Sequence, residues 1–177
     1  MQTAKWQRAA SFAARAHNHQ RREDGQTPYF SHPARVALTV TQTFRCDDED
    51  ALAAAFLHDT LEHSGVEFDE IKDQFGRGVA DLVAALTKSS VLTESERDKD
   101  SKRRLSGADW RARLVKLADE YDNYLAVLEG EKKSKNAEIR KRCKKAMDLA
   151  RPDAKEHKET RRALEALEDL LKSKPKD

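Results

Sequence analysis

Four side chains in this sequence, His32, His58, Asp59 and Asp119, are imidazoles or carboxylates set among apolar neighbours. Asp is a weak helix former and rarely enters a protein interior without a partner. The adjacent His58-Asp59 pair follows the apolar run Ala51-Leu52-Ala53-Ala54-Ala55-Phe56-Leu57. A divalent cation is the partner that satisfies imidazole and carboxylate together. Two imidazoles and two carboxylates form an N/O donor set, which suits an octahedral ion such as Mn²⁺ better than a thiolate-type zinc site. Such an ion lowers the pKa of a bound water and screens a phosphoryl oxygen. A second pair, Glu62-His63, follows one helical turn later, so His58 shares a face with Glu62, and Asp59 with His63. Glu62 is placed to orient or deprotonate an attacking water, whereas His63 reads equally as a site residue or a surface one. Taken singly, each residue has a plainer reading. His32 before Pro33 can be a cap, Asp119 can pair with Lys116 or Arg113, and His17-Asn18-His19 reads as a solvated helix end.

Helical periodicity supplies the elements that would carry these groups. Residues 3–19 form an amphipathic helix with Ala9, Phe12 and Ala13 on one side and Trp6 as anchor. Gly25 and Pro28 bracket a polar loop. Ser31-His32-Pro33 opens a second helix with Val36, Val40 and Phe44 buried. Asp47 or Asp48 caps a helix from Glu49 to about Glu62, apolar nearly all round and therefore the expected centre of the bundle. Short helices follow over Phe68–Phe75 and Arg77–Lys88. The pattern lapses over 89–108, where a mobile excursion, helical at most in part, is expected. It returns from Asp109 to Gly130, a stretch that contains Lys116-Leu117-Ala118-Asp119, and two more helices finish the chain.

Composition bounds the rest. A chain of 177 residues predicts one domain with a real core, here spanning 1–177 with its central part at about 4–129 and C-terminal helices at about 131–172. Six Gly and four Pro predict an all-α protein, a single-domain helical bundle. A net charge of +2 gives no reason to expect nucleic acid as a partner. Residues 131–145 hold eight Lys or Arg against two Glu, read as a solvated face or a surface that steers an anionic ligand. No run approaches a membrane span, and Cys46 and Cys143 are isolated thiols, so a reducing, cytoplasmic setting is expected.

The order His32, then His58-Asp59, then Asp119 resembles the HD superfamily of metal-dependent phosphohydrolases. The chain is most similar there to the hydrolase domain of Rel/Spo-type alarmone enzymes and to its stand-alone form, the small alarmone hydrolases. Arg21 to Pro33 resembles that family's basic loop, Pro-Tyr and His-Pro. Ala54 to Glu62 resembles its His-Asp-Thr-x-Glu helix, Leu86-Thr87-Lys88 the segment after it, and Lys116 to Asn123 its last metal motif. The resemblance implies an HD-type helical bundle that removes the 3′-pyrophosphate of ppGpp or pppGpp with one Mn²⁺. It implies His32, His58, Asp59 and Asp119 as metal ligands, Glu62 as the residue serving the water, and Arg22 and Asn123 as contacts to the nucleotide. Lys116 and Arg113 are looser candidates for phosphate contacts. Three positions depart from the pattern: His63 where the family usually has Asp, Glu23 where it tends to have Lys, and Leu125 where an Arg often stands. These departures keep two alternatives open, an HD-type nucleotide phosphatase acting for example on the 2′-phosphate of NADPH, and a weakly active nucleotide sensor. Monomer and homodimer are both compatible with the sequence.

Overall fold

Capping chemistry and apolar spacing between them set the helix boundaries. In a computed structural model, which describes residues 3–88, 91–130 and 133–174, the chain is helical, with no strand among the described residues. The order is α1 (Lys5–Ala16), α2 (Ser31–Leu38, prolonged by a π-helical turn over Thr39–Thr43), α3 (Glu49–Leu57), α4 (Thr60–His63), α5 (Phe68–Phe75), α6 (Arg77–Leu86), α7 (Glu94–Gly107), α8 (Trp110–Leu128), α9 (Asn136–Ala150) and α10 (Lys158–Leu170). Asp48 caps α3, its carboxylate accepting from the Ala51 N–H at 2.8 Å, and Asp109 caps α8 through the Arg111 N–H at 2.9 Å.

Small residues explain the centre. Ala51, Ala53, Ala54, Ala55 and Leu57 of α3 are fully buried, and their short side chains let α1, α2, α6 and α8 approach closely. The central place is shared: α8 buries Leu114, Val115, Leu117, Ala118, Tyr124 and Val127 and packs on α2, α3, α6, α9 and α10. This layout puts the end of α3, the start of α2 and the middle of α8 side by side.

Four expectations need correction. The helix expected to run from Glu49 to Glu62 stops at Leu57, and Thr60–His63 is a separate turn. Its last carbonyls are taken by side chains: the Thr60 hydroxyl donates to the Leu57 carbonyl at 2.7 Å, and His58 Nδ1 lies 2.9 Å from that of Ala55. Asp59 sits between the two turns at φ −99° and ψ −4°. The 89–108 stretch is largely a helix, α7; residues 89–90 fall outside the described part. A capping box between Thr93 and Glu96 starts α7, and Asp100 pairs with Arg103 and Arg104 along it, so charge rather than an apolar stripe supports it. Trp6 is 39% exposed rather than a buried anchor. His17 is 1% exposed, its ring centroid 4.9 Å from that of Tyr29, and is no solvated helix end. No helix among the described residues is long and apolar enough to cross a membrane.

Candidate metal centre

Each of the four sequence-selected groups is delivered by a different local device. His32 lies in the first turn of α2, and its Nδ1 is 2.7 Å from Asp122 Oδ2 on α8. Arg35 holds the other edge of that carboxylate, its Nε donating to Oδ1 at 2.6 Å. His58 lies at the end of α3 with Nδ1 turned to the Ala55 carbonyl. With both Nδ1 atoms engaged, both Nε2 atoms face one point. Second-sphere carboxylates and carbonyls of this kind fix the ring orientation of metal-binding histidines.

The carboxylates meet them there. Asp59 Oδ2 is 3.2 Å from His58 Nε2 and 3.6 Å from His32 Nε2, and Asp119 Oδ1 is 3.3 Å from His32 Nε2 and 3.9 Å from His58 Nε2. Atoms held about 2.1 Å from a single ion stand roughly 3.0–3.5 Å apart, so these spacings suit shared coordination. His32, His58 and Asp59 each offer a ligand atom within 4.8 Å of the others; Asp119 stands outside that trio but close to both imidazoles. His58 Nε2 is buried and without a hydrogen-bond partner, so the lone pair it gains on losing its proton is open to a cation. The residues fit a divalent metal.

Electrostatics supports that fit. Burial alone would raise the pKa of the Asp59 carboxyl, but His58 and then His32 hold it well below the usual range. Burial opposes ionisation of Asp119 too, and Lys116 and His32 overcome it. Burial would depress His58, yet Asp59 and Asp119 lift it to about 9. The metal-free centre therefore holds His58 as imidazolium at neutral pH. That proton stabilises the metal-free fold fully below about pH 6.5, and the contribution is lost as pH rises towards 9. A cation needs the neutral ring, so metal binding at pH 7.5 is expected to release about one proton from His58, and affinity should rise about tenfold per pH unit for each proton released. Calorimetry in buffers of different ionisation enthalpy measures this. Binding without proton release and independent of pH would contradict the assignment.

A cavity of about 280 Å³ opens over the centre, lined among others by Arg22, Glu62, His63, Lys88, Asn123 and Arg142. Glu62 Oε2 accepts from the Lys88 N–H at 2.9 Å, and its Oε1 is 3.7 Å from the Nε2 of the half-exposed His63. Arg22 lies with its guanidinium 5.9 Å over the Tyr29 ring, and its Nη2 has no hydrogen-bond partner. Lys116 and Asn123 also line the cavity, but both are tied to Asp119: the ammonium donates to Oδ2 and the amide to Oδ1, each at 2.7 Å. Arg113 points elsewhere and pairs with Asp153 at 2.6 Å.

Sequence reasoning passed over several participants. The Tyr29 hydroxyl donates to Asp59 Oδ2 at 2.6 Å, and Asp122 orients His32. Lys88 and Arg142 add two cations to the cavity wall. Asp122 had an available signal: it lies three residues after Asp119, on the same helical face. Arg142 also changes the reading of the basic stretch, since it turns inward to Glu120 at 3.0 Å rather than lying on a solvated face.

Comparison with known proteins fits this geometry. Residues 9–147 match the HD domain family. The guanosine-3′,5′-bis(diphosphate) 3′-pyrophosphohydrolase MESH1 of Xenopus tropicalis is 39% identical over 116 residues, 65% of this chain and 65% of that protein. The Homo sapiens protein of the same name is 40% identical over the same shares. The guanosine-3′,5′-bis(diphosphate) 3′-pyrophosphohydrolase of Aquifex aeolicus is 38% identical over 74% of this chain but only 19% of its own length. The matched part of the chain thus spans just under two thirds of the animal relatives and about a fifth of the bacterial one. A solved structure described as a metazoan ortholog of SpoT that hydrolyzes ppGpp and plays a role in starvation responses superposes with a TM-score of 0.82. It is 26% identical and covers 97% of this chain and 96% of that one.

Proposed function

The chain belongs to the HD domain family, and on that premise we propose that it is a Mn²⁺-dependent hydrolase removing the 3′-pyrophosphate of the guanosine alarmones ppGpp and pppGpp, giving GDP or GTP and pyrophosphate. The observation that carries this reading is the convergence of two imidazole Nε2 atoms and two carboxylates under a cavity walled by cations. A divalent ion held by His32, His58, Asp59 and Asp119 supplies a water of lowered pKa and screening for a phosphoryl oxygen.

The remaining work falls to the chain. Glu62, fixed through Oε2 by the Lys88 N–H, accepts the proton of the attacking water on Oε1, with His63 beside it as a further proton acceptor. Arg22 braces the base, its planar guanidinium already lying over the Tyr29 ring. Lys88 and Arg142 neutralise the phosphates. The Lys88 amine makes no ion pair among the described residues. Lys116 and Asn123 act through Asp119 by holding its two oxygens. Glu23 is paired with Lys135 at 2.8 Å, which offsets the negative charge that sets this loop apart. Because Arg142 on α9 lines the cavity, we read residues 1–177 as one functional unit, and the two free, buried cysteines fit a reducing cytoplasm.

His63 favours a second reading, a nucleotide phosphatase acting for example on the 2′-phosphate of NADPH. An imidazole in place of the family's second acid makes the rim less acidic. Incubation of the Mn²⁺-loaded protein with ppGpp and with NADPH separates the two. Pyrophosphate and GDP from ppGpp are expected. Orthophosphate from NADPH with ppGpp intact would establish the phosphatase, and tight binding without turnover would establish a sensor.

A further inference from the structure

Across a wall formed by Lys88, Lys116 and Arg142, the metal chamber adjoins a second cleft of about 450 Å³ between α7, α8 and α9. The two differ in character. Among the described residues Leu86 is the one aliphatic side chain lining the metal chamber. The second cleft has an apolar floor of Leu105, Ala146 and Leu149. Leu105 is 3% and Ala146 5% exposed, so this floor is built into the core rather than lying loose on the surface.

The rim carries charge in excess. Six cations line the cleft, Lys88, Lys99, Lys102, Lys116, Arg142 and Lys145, against the carboxylates of Asp98, Glu120 and Asp148. Glu120 takes Lys116 at 2.7 Å and Arg142 at 3.0 Å, and Asp98 takes Lys145 at 2.6 Å. Lys88, Lys99 and Lys102 have no ion pair among the described residues. Lys88 is half-buried, and burial together with its neighbours Lys116 and Arg142 lowers its pKa against the opposing pull of Glu120 and Glu62. Three apolar side chains ringed by charged ones suit a ligand that is itself amphipathic, and the volume lies in the usual range of a small-molecule site.

We propose that this second cleft binds a small amphipathic anion, a flat or aliphatic apolar body with an oxyanion head, at a site separate from the metal chamber. The body covers Leu105, Ala146 and Leu149, and the head meets Lys99 and Lys102, which line this cleft and not the metal chamber. The inference does not rest on the alarmone reading, because it concerns a different cavity and needs neither metal nor turnover.

The test uses metal-free full-length protein and 8-anilinonaphthalene-1-sulfonate, an aromatic sulfonate whose fluorescence rises in apolar surroundings. Saturable binding of one probe per chain is expected. Lys99→Glu with Lys102→Glu, two exposed positions on α7, should weaken it about tenfold, as loss of charge-assisted contacts does. Leu149→Asp should weaken it similarly by placing a charge on the floor. Asp59→Ala, in the other chamber, should leave the affinity within about twofold. The proposal is overturned if binding does not saturate, if the paired lysine reversal leaves affinity unchanged, or if Asp59→Ala removes binding and so places the probe over the metal centre.

Discussion

Replacing Asp59 by alanine is expected to abolish hydrolysis while the chain stays folded. The carboxylate sits 3.2 Å and 3.6 Å from the two imidazole Nε2 atoms, and Asp119, the other carboxylate beside both imidazoles, is already one of the four proposed ligands and so does not replace it. Loss of an outer-sphere partner typically costs 10–100-fold in metal affinity, so loss of a direct ligand should cost more, and turnover should fall by at least about 10³-fold. The fold should survive, because Asp59 lies between α3 and α4 rather than within the packed helices, and both it and its hydrogen-bond donor Tyr29 line the cavity. Metal titration followed by calorimetry, alongside helical circular dichroism, separates the two effects. Retained activity within tenfold of the parent would remove Asp59 from the centre.

The second large effect is predicted for Glu62→Gln. The amide keeps the size of the side chain and can still accept from the Lys88 N–H, so the local fold and the metal ligands should be undisturbed. What it loses is the ability to take a proton. General-base contributions are typically 10²–10⁴-fold, and kcat should drop by about that much. Metal affinity should stay within about twofold, since Glu62 is held by a backbone amide rather than by any of the four proposed ligands. A parallel fall in metal affinity would recast Glu62 as a ligand, and an unchanged kcat would assign the water to another residue, with His63 the nearest candidate.

The proposed ligands were legible because chemistry singles them out: charged or titratable groups beside apolar runs are costly unless something binds them. Their helices were legible too, as apolar spacing along α1, α2, α6 and α8 decides which face is buried. The break at His58-Asp59 was not. It depends on His58 and Thr60 turning back to carbonyls of their own helix, an alternative to continued winding that apolar periodicity does not register. The extent of helix α7, expected to be helical at most in part, was missed for a related reason, since its support is ion pairs and a capping box rather than a buried stripe. The cavity wall was the least legible part. Lys88 and Arg142 lie 54 residues apart and come together only because α9 packs along α8 beside the end of α6. His17 was misread because its burial comes from the loop that carries Tyr29, and nothing within α1 announces it.

The central claim, that this centre uses one divalent ion to release pyrophosphate from ppGpp, is tested most directly by metal add-back. Protein stripped of metal is supplied with increasing Mn²⁺, and pyrophosphate release from ppGpp is followed against ion bound per chain. The account predicts no release from the stripped protein and a rise that saturates at one ion per chain. Pyrophosphate released by metal-free protein, or none released by protein carrying its full complement of Mn²⁺, would contradict it.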